Sequence, residues 1–139
     1  MRQISTIALP FLTALAVFLA LDGLWLGVVG GSLYTSVLGD LMLDGFRIAP
    51  AVLFYLMHIA AIMVFVLPQA RRRNNLAAAV AFGAFYGICA YGTYDLTNQA
   101  VLRVWTTQLT AIDMAWGGFV TAAASLAGAW VDRRVRRSP

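Results

Sequence analysis

Long apolar stretches alternate with short polar or arginine-rich segments along this chain of 139 residues. A helix needs about 18 or more mainly apolar residues to cross a hydrocarbon core about 30 Å thick. Four stretches meet this condition, at approximately 4–29, 50–67, 76–96 and 111–131. Lipid tails cannot hydrogen-bond to backbone N–H and C=O groups, so a helix, which pairs these groups internally, is the favoured way to cross the membrane. The pattern therefore predicts an all-α integral membrane protein, a four-transmembrane-helix bundle forming a single domain over residues 1–139.

The segment between the first two stretches, residues 30–49, has a helical periodicity of its own. Its apolar positions recur at helical spacing and its polar positions take the other face, which predicts a short amphipathic helix lying in the membrane interface. The apolar positions are Leu33, Tyr34, Val37, Leu38, Leu41 and Met42. Residues 97–110 repeat the pattern more weakly. We expect a short interfacial helix in each of these loops, together forming a lid over the space between the spans.

Small residues occur at regular spacing in three of the stretches. Glycines lie four positions apart in "GLWLG" (Gly23–Gly27) and in "GAFYG" (Gly83–Gly87), and the last stretch contains "TAAASLAGA". This spacing lets helix backbones approach closely in a membrane. We interpret all three segments as sites of tight packing within the bundle.

The charged residues indicate how the chain is oriented. Hydrophobic residues make up 61% of the chain, against roughly 45–50% in soluble domains. The net charge of +4 could suggest a nucleic-acid partner. However, eight of the ten arginines lie before the first apolar stretch, between the second and third, or after the fourth. Only Arg47 and Arg103 lie in the other two loops. This asymmetry predicts a multi-pass membrane protein with both termini cytoplasmic, and argues against a nucleic-acid partner.

Counting from the predicted helix ends places polar and aromatic side chains of all four helices at one depth, near the outer side. Spacings of three or four residues put them on shared helix faces, as for Tyr91, Asp95 and Asn98. Ionisable groups inside membrane proteins generally face the bundle interior or a water-filled cavity. We therefore predict an outer-side polar and aromatic pocket. Candidate acid–base residues are Asp95, Asp113, Asp22 and His58, and candidate ligand-binding residues are Trp25, Tyr55, Tyr91, Tyr94, Asn98 and Trp116.

Each of these residues also has a purely structural interpretation. Tyrosine and tryptophan gather at membrane interfaces. Asp113 follows Thr110 at the spacing of a capping box and would then cap the fourth helix. Asn98 could end the third helix, and His58 could hydrogen-bond to a neighbouring helix. At a helix N-terminus Asp113 is expected to stay ionised, whereas Asp95 or Asp22 can hold a proton.

The spacing of potential ligands does not indicate a metal site. Histidine pairs four apart, Glu-x-x-His and paired cysteines do not occur in the sequence. The oxygen ligands present would suit a hard cation. No cofactor-binding residues are predicted, and the cofactor, if any, is unknown.

Three motifs carry a resemblance to a known family: "DGLWLG" (Asp22–Gly27), "AYGTYDLTNQA" (Ala90–Ala100) and "DMAWGG" (Asp113–Gly118). With them the chain resembles the bacterial four-helix membrane proteins catalogued as domain of unknown function 2177, over nearly its whole length. The resemblance implies a four-helix inner-membrane protein and singles out the same Asp, Tyr, Asn and Trp positions. It implies no substrate.

Three functions remain open from the sequence. Carboxylates surrounded by aromatic rings suit a small amphipathic, cationic or lipid ligand. The same carboxylates suit a membrane enzyme that performs acid–base chemistry on a lipid or isoprenoid, like an isomerase or cyclase. An accessory subunit of a larger membrane complex would use the polar groups to hold helices together. Membrane lipids are the expected partners, with a homo-oligomer or a larger complex left open.

Overall fold

The computed structural model describes residues 2–137, and describes side chains from Thr6 onward. This range is almost entirely helical and contains no β-strand. Its α-helices are α1 (Arg2–Trp25), α2 (Gly31–Leu38), α3 (Ile48–Ala61), α4 (Leu67–Arg73), α5 (Leu76–Val101) and α6 (Thr107–Arg137). A π-helical turn joins α1 to α2 (Leu26–Gly30) and another joins α3 to α4 (Ile62–Val66), while a 3-10 turn, Gly39–Leu41, follows α2.

Four continuous helical segments are long and apolar enough to cross a membrane, which confirms the predicted all-α fold with four spans. The first to fourth spans are Thr6–Leu41, Ile48–Arg73, Leu76–Val101 and Thr107–Arg137. Each extends beyond its apolar run at one or both ends, because polar and arginine-rich residues continue the helix. We call the end that holds the connections 42–47 and 102–106 the distal end. The opposite end, where α1 begins, α6 ends and the connection 74–75 lies, is the terminal end.

The two distal loops differ from the predicted interfacial helices. Gly31–Leu38 is helical, but it prolongs the first span through a π-helical turn instead of forming a separate helix. The second predicted loop helix is wrong, because α5 continues to Val101 and α6 begins at Thr107, so only residues 102–106 lie between them. The hydroxyl of Thr106 accepts a hydrogen bond from the backbone N–H of Leu109 at 3.2 Å. This cap explains why α6 begins before its apolar run.

Glycines bring α5 and α6 into close contact, as the spacing in "GAFYG" predicted. A Cβ added at Gly83 would lie 2.7 Å from the Cβ of Ser125, and one at Gly87 would lie 2.6 Å from Oγ1 of Thr121. In the small-residue segment of α6, a Cβ at Gly128 would lie 3.2 Å from the carbonyl oxygen of Pro10. Any side chain at these glycines would therefore push helices apart.

The packing interpretation of "GLWLG" is wrong. A Cβ added at Gly23 or at Gly27 meets nothing within 4 Å in the described structure. The buried face of α1 repeats every fourth residue, at Ala14, Phe18 and Asp22. Gly23 is one position past this face, so it points away from the bundle. The two glycines have the spacing of a helix-packing motif, but they lie on the side of α1 that faces away from the other helices.

Candidate intramembrane binding site

A cavity of about 440 Å³ lies near the distal end, between side chains of all four spans. Its acidic and ring-bearing lining consists of Asp22, Trp25, Tyr34, Phe54, Tyr91, Tyr94, Asp113 and Trp116. The other lining residues are Leu26, Leu38, Met42 and Ala90. Its walls are therefore largely apolar and aromatic, with two carboxyl groups among them, which is the usual composition of a small-molecule site.

Asp22 joins three spans at the wall of this cavity. The Oη of Tyr55 donates a hydrogen bond to its Oδ2 at 2.7 Å, and Nε1 of Trp116 donates to its Oδ1 at 3.3 Å. Asp22 is only 7% exposed because it continues the buried face of α1. The first, second and fourth spans thus contribute to one hydrogen-bonded cluster around a carboxylate.

Aromatic rings of the first, third and fourth spans form walls of the cavity. The rings of Trp25 and Trp116 stack with their centroids 4.6 Å apart and their planes 10° apart. On the facing side Tyr91 lies against α6 at Gly117, where an added Cβ would come 2.7 Å from the Tyr91 Cβ. Glycine at this position lets the tyrosine ring pack directly on the helix backbone, so that ring, too, has a fixed place in the wall.

Tyr34 belongs to the site although its sequence context suggested only an interfacial helix. Its hydroxyl donates a hydrogen bond to Oδ1 of Asp113. Asp22 and Tyr34 are twelve positions apart, which in a regular helix leaves them on different faces. The π-helical turn absorbs one extra residue, so the effective separation is about three whole turns and both side chains face the cavity.

Asp113 does not cap α6. The helix begins at Thr107, so Asp113 lies well past the first turn, and the capping hydroxyl belongs to Thr106. The hydroxyl of Thr110 instead accepts from Nε1 of Trp105 at 3.1 Å. The macrodipole acts mainly within the first turn. The expectation that it holds Asp113 ionised therefore loses its basis, and the partner of Asp113 is the Tyr34 hydroxyl.

Asp95 lies behind Asp113 and does not line the cavity. It is fully buried, and neither of its oxygens accepts a hydrogen bond from an N–H or O–H of the described chain. Its carboxyl group lies near that of Asp113. A carboxylate has no hydrogen to donate, so a hydrogen bond between the two requires that one of them holds a proton.

Three other predicted residues lie outside the cavity lining. His58 is buried, with Nε2 at 2.9 Å from Oγ1 of Thr121 and its ring stacked on Tyr86 at 4.8 Å. Tyr55 reaches the site through Asp22 only, and Asn98 lies within α5 rather than ending it. The structure therefore brings together Asp22, Trp25, Tyr91, Tyr94, Asp113 and Trp116 at the cavity.

The site contains carboxyl groups without a cationic side chain. Both salt bridges within residues 2–137 belong to Asp132 at the terminal end, where Arg71 and Arg136 bind it. Asp22 and Asp113 receive hydrogen bonds only from neutral groups in the described chain. No three His, Cys, Asp or Glu side chains of the described residues are grouped so as to hold a metal ion. The fixed charges of this site are thus acidic.

These features define a small multi-pass membrane protein with an acidic, aromatic cavity within its bundle. A family model described as "Predicted membrane protein (DUF2177)" matches residues 7–130. The chain therefore belongs to this family of membrane proteins of unknown function, as its motifs indicated. No curated protein and no solved structure matches the chain.

Proposed function

We propose that this membrane protein binds a small amphipathic cation, a molecule with an amine or ammonium head and an apolar body. The observation that carries the proposal is the pair of buried carboxyl groups, Asp22 and Asp113, that face an aromatic cavity without a cationic side chain beside them. The ligand would supply the missing positive charge.

The energetics of buried charge support a cationic ligand. An ionised carboxylate removed from water costs several kcal/mol unless a charge or sufficient hydrogen bonds compensate it. Asp22 has two neutral donors and Asp113 has one. A ligand cation between them would be attracted by both, in surroundings where water screens the attraction poorly.

The aromatic and apolar walls fit the rest of such a ligand. Trp116, Tyr91 and Tyr94 line the cavity, and ring faces attract a cation by about 0.5–2 kcal/mol. Leu26 and Met42 also line it while remaining 44% and 40% exposed, so the rim is apolar. The ligand can therefore keep its apolar body towards the bilayer while its charged head reaches the carboxylates.

Two probes of matched shape and opposite charge test this proposal. Tetraphenylphosphonium and tetraphenylborate are titrated into the purified protein in a neutral detergent, and quenching of tryptophan fluorescence reports binding. We expect the cation to bind and the anion not to bind. Asp22→Asn and Asp113→Asn should each weaken cation binding by at least about tenfold, since each removes a charge–charge contact worth over 1 kcal/mol.

The control substitution is Asp40→Asn, which removes an exposed carboxylate from the distal 3-10 turn. It should leave cation binding unchanged. Equal binding of the two probes, or equal losses in Asp40→Asn and Asp113→Asn, would show that the cavity does not recognise positive charge. If the cation binds as expected, mass spectrometry of small molecules that copurify with wild-type protein but not with Asp113→Asn would identify the natural ligand.

We propose acid–base catalysis on an isoprenoid lipid as the second candidate, because the carboxyl groups of Asp95 and Asp113 lie near each other. A proton held by the pair would pass from Asp113 to a substrate double bond, and the carboxylate would remove a proton from the neighbouring carbon. The net reaction would be a double-bond isomerisation without a redox partner. Deuterium incorporation into a polyprenyl lipid incubated with the protein in D₂O tests this. Incorporation that persists in Asp113→Asn would exclude it.

We also propose that both termini face the cytoplasm of a bacterial cell and that the distal end faces outward. Eight of the ten arginines support this orientation through the positive-inside rule. In a Cys89→Ala background, single cysteines at Gly45 and Asn74 are treated with a membrane-impermeant maleimide on intact spheroplasts. Labelling of Gly45→Cys alone is expected, and labelling of Asn74→Cys alone would reverse the orientation.

A further inference from the structure

Two adjoining clefts lie at the terminal end, where the connection 74–75 meets the last turns of α6. The first, of about 170 Å³, is bordered by Arg71, Arg133, Arg136 and Arg137. The second, of about 250 Å³, is bordered by Arg133, Arg134 and Arg137. Arg133 and Arg137 therefore lie between the two clefts and line both.

The carboxylate that lines the first cleft, Asp132, is already paired with two other arginines. Arg71 donates to its two oxygens at 2.9 and 2.7 Å, and Arg136 donates to one at 2.9 Å. Arg133 and Arg137 make no salt bridge within the described residues, and Nε of Arg133 is buried there without a hydrogen-bond partner. Arg137 donates a hydrogen bond to the neutral side-chain amide oxygen of Asn74 at 3.3 Å. Two guanidinium groups thus remain uncompensated, and their planar donors match the oxygens of a phosphate.

An apolar groove continues from the second cleft. Trp130 borders that cleft and also a groove of about 530 Å³ whose other lining residues are Thr13, Ala123, Leu126, Ala127 and Val131. Trp130 is 49% exposed, and the guanidinium of Arg134 lies 4.7 Å from its ring. Tryptophan at this level is typical of the boundary between headgroups and acyl chains. A charged cleft and an apolar groove that meet at one tryptophan suit a lipid better than a free phosphate ion.

We infer that the terminal end binds an anionic phospholipid, with its phosphate on Arg133 and Arg137 and an acyl chain in the groove beyond Trp130. Leu76, the first residue of α5, lines both clefts, so the positive end of that helix dipole also faces the phosphate. This site is separate from the distal cavity and does not depend on the function proposed for it.

The experiment compares phosphatidylglycerol with phosphatidylcholine of identical acyl chains, titrated into the full-length protein in a neutral detergent and counted by native mass spectrometry. The test variant is Arg133→Ala/Arg137→Ala. The matched control, Arg47→Ala/Arg103→Ala, removes the same charge from the distal end. We expect the preference for phosphatidylglycerol to fall by about thirtyfold in the test variant, the effect of two arginines near a phosphate, and to persist in the control.

Trp130→Ala distinguishes a bound phospholipid from a bound phosphate group alone. Trp130→Ala should weaken phosphatidylglycerol binding without changing the binding of glycerol 3-phosphate. Equal affinities for these two ligands, together with no effect of Trp130→Ala, would overturn the lipid assignment in favour of a free phosphate. Equal losses in the two arginine double variants would overturn the site altogether. If the alanine variant does not fold, Arg133→Lys/Arg137→Lys should fold and bind phosphatidylglycerol more weakly, and an unchanged affinity would overturn the guanidinium contacts.

Discussion

The contact between α5 and α6 allows a direct test of how this bundle is held together. In Gly87→Ala the new Cβ would overlap the carbonyl oxygen of Gly117 and come 2.6 Å from Oγ1 of Thr121. Overpacking in a well-packed interior typically costs about 1–3 kcal/mol, and a backbone oxygen cannot rotate away as a flexible side chain can. We therefore expect Gly87→Ala to lower the free energy of unfolding by about 3 kcal/mol, at the upper end of that range.

Gly23→Ala is the matched control, because it makes the same chemical change within a span but meets nothing within 4 Å. Its stability should equal that of the wild type or rise slightly, since alanine favours the helix over glycine by up to about 1 kcal/mol. Reversible unfolding in mixed micelles of increasing dodecyl sulfate content, followed by circular dichroism, measures both variants. At about 1.4 kcal/mol per factor of ten, the two should differ by at least two powers of ten in unfolding equilibrium.

Equal losses of stability in the two alanine variants would contradict a close contact of Gly87 with α6 and an uncovered Gly23. That result would mean either that Gly87 is not at a close helix contact or that Gly23 is covered by a second chain. Sedimentation of the Gly23→Ala protein at two concentrations separates these explanations. A change in its mass relative to the wild type would indicate an interface between copies.

Three further predictions concern the ends of the helices and the π-helical turn. Asp132→Ala should lower the free energy of unfolding by about 2 kcal/mol in the same assay, because the arginines it binds lose a buried acceptor but are themselves partly exposed. Thr106→Ala should cost about 1 kcal/mol and speed amide hydrogen exchange in the first turn of α6. Deletion of Val28 should convert the π-helical turn to regular α-helix, keep Tyr34 facing Asp113 and preserve cation binding, whereas insertion of one alanine after Val28 should turn Tyr34 by about 100° away from Asp113 and weaken binding.

Apolar length and residue counting from the helix ends were sufficient to place Asp22, Tyr55 and Trp116 at a common depth, but not to separate His58 from them. Depth along a span depends only on rise per residue, which is nearly constant in a helix. Asp22, Tyr55 and Trp116 come from three different spans and nevertheless join in one hydrogen-bonded cluster. The order of spans and the level of the cavity therefore follow from the sequence.

Rotation of each helix about its axis did not follow from the sequence in the same way. A π-helical turn leaves no clear signal in an apolar segment, yet it turns Tyr34 towards Asp113. The buried face of α1 likewise depends on its neighbours, so the spacing in "GLWLG" could not reveal that Gly23 points outward. The predicted start of α6 was wrong for a related reason. Thr106 and Thr110 are equally good caps by residue type, and only packing decides between them.

The chemistry open to the distal cavity follows from the groups that line it. His58 is separated from it, since its Nε2 pairs with Thr121 in the layer where α5 and α6 pack most closely. The described lining offers carboxyl and phenol oxygens and two indole N–H groups as its polar side-chain groups, and no serine, cysteine or histidine. Such groups can hold a cation or transfer a proton.

The two proposals, cation binding and acid–base catalysis, therefore differ in whether Asp95 and Asp113 share a proton. Ionised Asp95 and Asp113 require a cation from the ligand, whereas a pair that shares a proton is an acid. A protonated carboxyl band in the infrared spectrum of the wild type that disappears in Asp95→Asn would favour catalysis, and its absence would favour cation binding.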